Sequence, residues 1–371
     1  MKWFGRILTL LGVLAVGGCL LLTLLYVRSP RSDSVPAPDA ELTQRYSDAV
    51  TNAVSRSLEG LTHIRKIYRI PEGAPAPAPN PEGYGSSADP AEVRAVIDAA
   101  AELLDGQSIT GWSEDTVLKE GSAVHWYRDE SILALVWQEI REGTVCTFCE
   151  VKIADASQLR RKVSGDYYGS GILKTASRLA AEDNAVAAIN GDFYAFRANG
   201  IRVWEGQLQL AHGWEIDSCF FTDEGDMLFA RRGDITSWNA AKAFIEENSI
   251  DFSVTFGPIL VEEGKNVTPW QYPLGEINEP YSRSVIGQTD TLHYLLMTSN
   301  FEPGHIRAVL AGTAADLMIE KGCHSAYSLD GGQTATLHLG GKLMCIPDFG
   351  WEREVSDIIC FASAIPEGGV S

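Results

Sequence analysis

Ser328-Leu329-Asp330-Gly331-Gly332-Gln333-Thr334 follows a helix-like segment and a short apolar run, and precedes Ala335-Thr336-Leu337-His338-Leu339, which alternates as a strand does. A carboxylate, two glycines, an amide and a hydroxyl are thus set between two buried elements. Paired glycines admit φ > 0 and leave main-chain N–H groups uncovered, so an anion can approach closely. Asp330 stands at the mouth of a strand, the kind of rigid position that a catalytic or metal-binding carboxylate needs. A plain tight turn, with the Asp capping its own backbone, fits the same residues. The chain repeats this grammar once: the buried run Ala185-Val186-Ala187-Ala188-Ile189 ends in Asn190-Gly191-Asp192-Phe193-Tyr194.

Outward from these turns the pattern is one of short strands. His125–Tyr127, Ile132–Ile140 and Thr144–Ile153 read as a meander with turns at Arg128-Asp129 and Glu142-Gly143. Further strands are predicted at 202–204, 208–210, 218–222, 227–230, 255–261, 283–287, 292–298 and 355–362, with helices near 91–104, 174–184, 238–248 and 307–321. Asp89 and Pro90 supply an N-cap and first turn for the first of these helices. Strands outnumber helices and do not alternate strictly with them. The predicted class is α+β, a mixed, mostly antiparallel curved sheet with helices packed on it, preceded by one N-terminal transmembrane helix.

That helix rests on an uncharged run of 21 residues, Ile7 to Val27, flanked by Lys2, Arg6, Arg28 and Arg31. Val16-Gly17-Gly18-Cys19 loosely resembles a lipoprotein cleavage site, yet the apolar run continues past it, which favours a retained anchor. Residues 1–28 are therefore expected to be a membrane anchor and 29–90 a stalk, with helical spacing from Glu41 to Arg69 and a Pro-rich spacer from Pro71 to Pro90. Residues 91–144 lead into a main domain at 145–371, expected on the extracytoplasmic side of a cell membrane crossed once. A formal charge of −19 argues against nucleic acid, since no basic face exists to release counterions. Of seven cysteines, Cys146 and Cys149 have redox or zinc spacing, but residues three apart on a strand face opposite ways. Core cysteines fit better, with one or two disulfides open if the domain is exported.

Five collinear segments carry a resemblance: AINGDFYAFR (188–197), FGPILVEEGK (256–265), RSVIGQTDTLHYLLM (283–297), AYSLDGGQTATL (326–337) and EREVSDIICF (352–361). Together they resemble the phosphodiester glycosidase family over roughly residues 145–363. The chain departs from the family pattern at Gln333-Thr334-Ala335, where DGGGSS is usual, and at Thr298-Ser299-Asn300, where a Val-Asp-Gly-Arg segment is usual. Ser284 replaces the usual Thr after the motif arginine.

The resemblance implies a hydrolase acting on a sugar-1-phosphodiester, of the N-acetylglucosamine-1-phosphodiester type, in envelope or exopolysaccharide glycans. The departures leave open a catalytically impaired relative that binds phosphoglycans. Such chemistry needs a carboxylate at the sugar, a cation or N–H cluster at the phosphate, and donors for the hydroxyls. Asp192 and Asp330 are the expected catalytic carboxylates, converging in one cleft, and Arg283 the expected phosphate ligand. Asn190, Gly191, Tyr194, Arg202, Ser284, Gly331, Gly332, Gln333 and Thr334 are expected to bind substrate. The Gly331 and Gly332 amides are read as donors to the same anion. His293 reads as a hydrogen-bonded inner-face residue, and Glu352, Arg353 and Asp357 as a polar network bracing the site. No cofactor is required by the pattern; a divalent cation, Ca or Mg, suits the hard oxygen ligands, and no His/Cys cluster supports zinc.

Overall fold

The computed structural model describes residues 68–365 apart from 166–168, 197–198, 213–214, 275 and 301–308. The expected membrane anchor and stalk helix lie outside the described residues. Among the described residues no helix is long and apolar enough to cross a membrane.

Strict alternation of apolar side chains builds a nine-stranded sheet. Its order is Tyr84–Ser87, Val124–Arg128, Ile132–Arg141, Thr144–Ile153, His293–Asn300, Arg283–Asp290, Ser325–Ser328, Ile259–Glu262 and Lys265–Asn266. Its pairings are antiparallel. Period two sends Leu133, Leu135 and Trp137 to one core, and Ile132, Ala134 and Val136 to another. Glu142 and Gly143 both take positive φ, 49° and 77°, in the two-residue loop that closes Ile132–Arg141 on Thr144–Ile153.

The helices Pro90–Asp98 and Ala311–Glu320 cover the first face through Val93, Ile97, Ala314 and Met318. Against the second face packs a five-stranded sheet: Lys342–Leu343, Leu337–Leu339, Ala185–Asn190, Asp357–Ala362 and Leu159–Val163. Its outer side is covered by the helix Ala176–Glu182, through Leu179 and Ala180 against Ala188, Ile358 and Cys360. A three-stranded sheet and two strand pairs complete the fold, with the helix Trp238–Glu247 on a separate small core.

The antiparallel α+β class is therefore present, but as several sheets rather than a single curved one, because the alternating strands have two apolar faces to cover. Residues 124–141 belong to the same sheet as 144–153, so nothing in the strand order separates 91–144 from the main domain expected at 145–371. The first helix stops at Asp98, short of Leu104, with Asp89 accepting from Ala91 N as its cap. Three longer strands escaped the sequence pattern, Leu159–Val163, Ile250–Val254 and Tyr84–Ser87, the last inside the stretch expected to be a spacer, where its backbone pairs with Val124–Arg128. The two-residue strands Lys174–Thr175, Lys265–Asn266 and Lys342–Leu343 escaped it too. The six described cysteines are free and buried, which removes the disulfides left open above; Cys146 and Cys149 enter different cores, as alternation requires.

Candidate active site

The strand Ala185–Asn190 ends where the two glycine turns meet. The Asp330 N–H donates to the Gly191 carbonyl at 3.2 Å. Asn190, fully buried, ties the junction together: its Nδ2 donates to the Asp330 carbonyl at 2.7 Å, and its Oδ1 accepts from Ser284 Oγ at 2.7 Å and Thr336 N at 3.2 Å. The FGP segment joins from a third side, with Gly257 N donating to the Ser328 carbonyl and Ser328 N to the Pro258 carbonyl, each at 3.1 Å. From a fourth, Leu329 N and Gly332 N donate to the carbonyls of Ser284 and Ser282, each at 2.8 Å. Gly191 N donates to the Asp357 carbonyl at 3.0 Å. All five motif segments thus meet at one place.

The two carboxylates there have opposite settings. Asp192 is 2% exposed; its Oδ1 accepts from Tyr194 N at 2.8 Å and its Oδ2 from Thr255 N at 2.9 Å. Arg161 lies between two acids, 3.1 Å from Asp192 Oδ2 and 2.6 Å from Asp357 Oδ2, and also donates to the Ser253 carbonyl. Burial pushes the Asp357 carboxyl up to about 7; Arg161 opposes that and the Asp192 charge adds to it. One guanidinium offsets one buried negative charge well and a second poorly. Gly191 is glycine for a steric reason, because a Cβ would collide with the Asp357 carboxyl. Asp330, by contrast, is half-buried on the open side of the junction.

Tyr194 has two guanidiniums near its ring, those of Arg161 and Arg202 at 5.5 and 5.7 Å from its centre, and burial pushes its phenol up to about 12. Arg202 donates to the Asn199 carbonyl at 3.3 Å. Thr334 Oγ1 turns back to the Gly331 carbonyl at 2.6 Å, and Gln333 Nε2 reaches the Trp351 carbonyl at 3.4 Å. The Gly332 amide, expected to donate to a phosphate, is already bonded to the Ser282 carbonyl.

Arg283 is placed differently from its expected position. Alternation sends Ser284 toward Asn190 and Arg283 to the other face of the strand, where Val285 joins the helix-covered core. Its Nε donates to the Val309 carbonyl at 3.1 Å and its NH2 to the Glu279 carbonyl at 2.7 Å. The guanidinium beside Asp192 is that of Arg161, which motif reading missed. Its signal was a buried period of two, Leu159, Arg161 and Val163, inside a basic run in an acidic chain. Glu352 links the helix Ala176–Glu182 to the strand Leu337–Leu339: its Oε1 is 2.9 Å from His338 Nε2 and its Oε2 accepts from Ser177 Oγ at 2.6 Å. His293 is buried and paired with Glu150 at 2.7 Å.

Among the described residues no group of three or more His, Cys, Asp or Glu side chains is placed to hold a metal ion. A cleft of about 480 Å³ lies under the first helix, lined by Ile97, Gln107 and Trp112, and contains none of the motif residues.

Residues 183–362 match the family model described as phosphodiester glycosidase. A curated relative, the SPbeta prophage-derived uncharacterized protein YomE of Bacillus subtilis (strain 168), is 25% identical over 204 residues, 53% of this chain and 31% of the relative. The chain thus spans about a third of that relative's length. Among solved structures, a hypothetical protein from Synechocystis aligns with a TM-score of 0.51 at 14% identity, over 65% of this chain and 64% of that one. The catalytic domain of zebrafish N-acetylglucosamine-1-phosphodiester alpha-N-acetylglucosaminidase, auto-inhibited by its pro-peptide, aligns at 0.50 and 14%, over 80% of this chain and 97% of that one. At these identities the likeness is one of fold.

Proposed function

We propose that the chain, whose residues 183–362 match the phosphodiester glycosidase family model, hydrolyses a sugar-1-phosphodiester, with Asp330 as the carboxylate that meets substrate. The observation that carries this reading is the junction of the two glycine turns. It leaves Asp330 partly open to solvent, while Asp192 is enclosed and braced by Arg161. Water attacks the anomeric carbon, and Asp330 takes its proton. The bond from that carbon to the phosphate oxygen breaks with its electron pair on the oxygen. The products are a free sugar and a phosphate monoester, whose second ionisation near about 6 makes the leaving oxygen a stable anion. Asp192 positions the Asn190–Tyr194 turn through its main-chain bonds and ion pair.

The expected outcome for the full chain in detergent is release of reducing sugar from an α-sugar-1-phosphate diester, with Asp330→Asn lowering kcat by about 10²–10⁴-fold. Turnover of no member of a broad diester panel, or an Asp330→Asn variant with full activity, overturns the reading. We also propose that residues 7–27 anchor the chain in a membrane with the domain outside. Resistance of the protein to alkaline extraction and its cleavage by added protease on intact cells test this.

A second reading is a binding protein for phosphoglycans without turnover. It is favoured by one observation: the two departures from the family pattern are bonded to each other, Asn300 Nδ2 donating to the Ala335 carbonyl at 2.9 Å. Phosphoglycan binding with no sugar release, unchanged when family residues are restored at both places, distinguishes it.

A further inference from the structure

Beside the Asp330 turn, the segment from Ile346 to Trp351 keeps large side chains in water. Ile346 is 44% exposed, Phe349 83% and Trp351 61%. Phe349 adopts φ 68°, a left-handed conformation that bulky side chains seldom take and that persists only where the surroundings enforce it. They do so here. Asp348 Oδ1 accepts from Ser282 Oγ at 2.7 Å, Gly350 N donates to the Pro347 carbonyl at 2.9 Å, and the Trp351 carbonyl accepts from Gln333 Nε2 at 3.4 Å. Ser282 and Gln333 flank or belong to the Asp330 turn, so the segment is fastened to it at both ends. Tyr281, 41% exposed, lies against the same turn; a Cβ on Gly332 would stand 2.8 Å from its hydroxyl.

Three exposed aromatic side chains therefore stand on backbone that is fastened to the Asp330 turn, and one of them, Tyr281, lies against its glycines. Their chemistry selects the occupant. An aromatic face is apolar and amphipathic at its edge, and it stacks on the C–H face of a pyranose while Asp348 and Gln333 supply polar groups at the rim. The segment 346–354 carries Asp348, Glu352 and Glu354 against Arg353 alone, within a chain of formal charge −19. That balance disfavours polyanions at the segment, while the exposed rings supply the apolar faces on which an uncharged pyranose can stack.

We propose that Tyr281, Phe349 and Trp351 form a subsite for a neutral pyranose next to Asp330, so that the substrate is a glycan of more than one sugar unit rather than an isolated sugar phosphodiester. The subsite rests on the hydrolase reading for its biological setting, but its test does not. Titration calorimetry of the full chain in detergent with phosphate-free tetrasaccharides of N-acetylglucosamine, glucose, mannose and galactose should show binding of at least one. Phe349→Ala with Trp351→Ala should weaken that binding by about tenfold or more. Trp238→Ala, at a ring 49% exposed on a helix with a separate core, should leave it unchanged. Both sites are exposed, so loss of the fold does not confound the result. Failure of every one of these neutral tetrasaccharides to bind, or binding that survives the double substitution, overturns the subsite. Tetrasaccharide binding without diester turnover retains the subsite and removes the hydrolase.

Discussion

Asn190-Gly191-Asp192 and Ser328-Leu329-Asp330-Gly331-Gly332 look alike as sequence, each a strand end with glycine beside an aspartate. In three dimensions they are opposites. The first is closed: Asp192 receives two main-chain N–H groups and faces Arg161, and Asp357 presses on Gly191. The second is more open, with Asp330 half-buried and the exposed Tyr281 against its glycines. Local chemistry does not distinguish them. What differs is the element that covers each: the strand Leu159–Val163 stands beside Asp357–Ala362 and closes the first turn with a guanidinium. One carboxylate organises and the other is presented.

The contrast is broken most severely by Arg161→Met. It leaves Asp192 and Asp357 as two buried carboxylates without a counter-charge, and should cost about 3–5 kcal/mol in chemical denaturation. A loss under about 1 kcal/mol would show that the closed turn does not depend on the ion cluster.

Gly191→Ala comes next. The added methyl meets the Asp357 carboxyl, which Arg161 holds in place, so about 1–3 kcal/mol of destabilisation is expected. A neutral result means the carboxyl moves freely, and the closed turn is softer than its partners indicate.

The remaining probe is pH. The folded value of Asp357, pushed by burial to about 7, lies above its ordinary 3.8, so the folded state binds this proton more tightly. Its contribution to stability is therefore full below the ordinary value and is lost as pH rises through about 7. The denaturation midpoint should fall between pH 4 and 7, and Asp357→Asn should flatten that limb. An identical slope in the variant assigns the titration elsewhere.

Much of the fold was legible. The Glu142-Gly143 hairpin, the Asp89 cap and the strands Ser218–Thr222 and Met227–Ala230 all stand where residue pattern places them. Leu159–Val163 was hidden because Arg160, Arg161 and Lys162 suppress the apolar signal of a strand whose arginine is buried by pairing, not by hydrophobicity. The side of the strand that Arg283 takes was not legible, because a motif gives a residue's neighbours but not the face its side chain takes. One position of register decides between the Asn190 side and the Val309 side.

By itself the sequence determined that short strands would dominate, that five motifs belong together, and that glycine would flank two strand-end aspartates. The first and last are consequences of period and turn chemistry, local along the chain, and the second rests on resemblance to a known family. Only the tertiary structure decided which aspartate is enclosed, which arginine neutralises it and which rings remain in water. These depend on contacts between residues as far apart as Arg161 and Asp357, and on desolvation, a property of the surrounding volume that no stretch of chain carries alone.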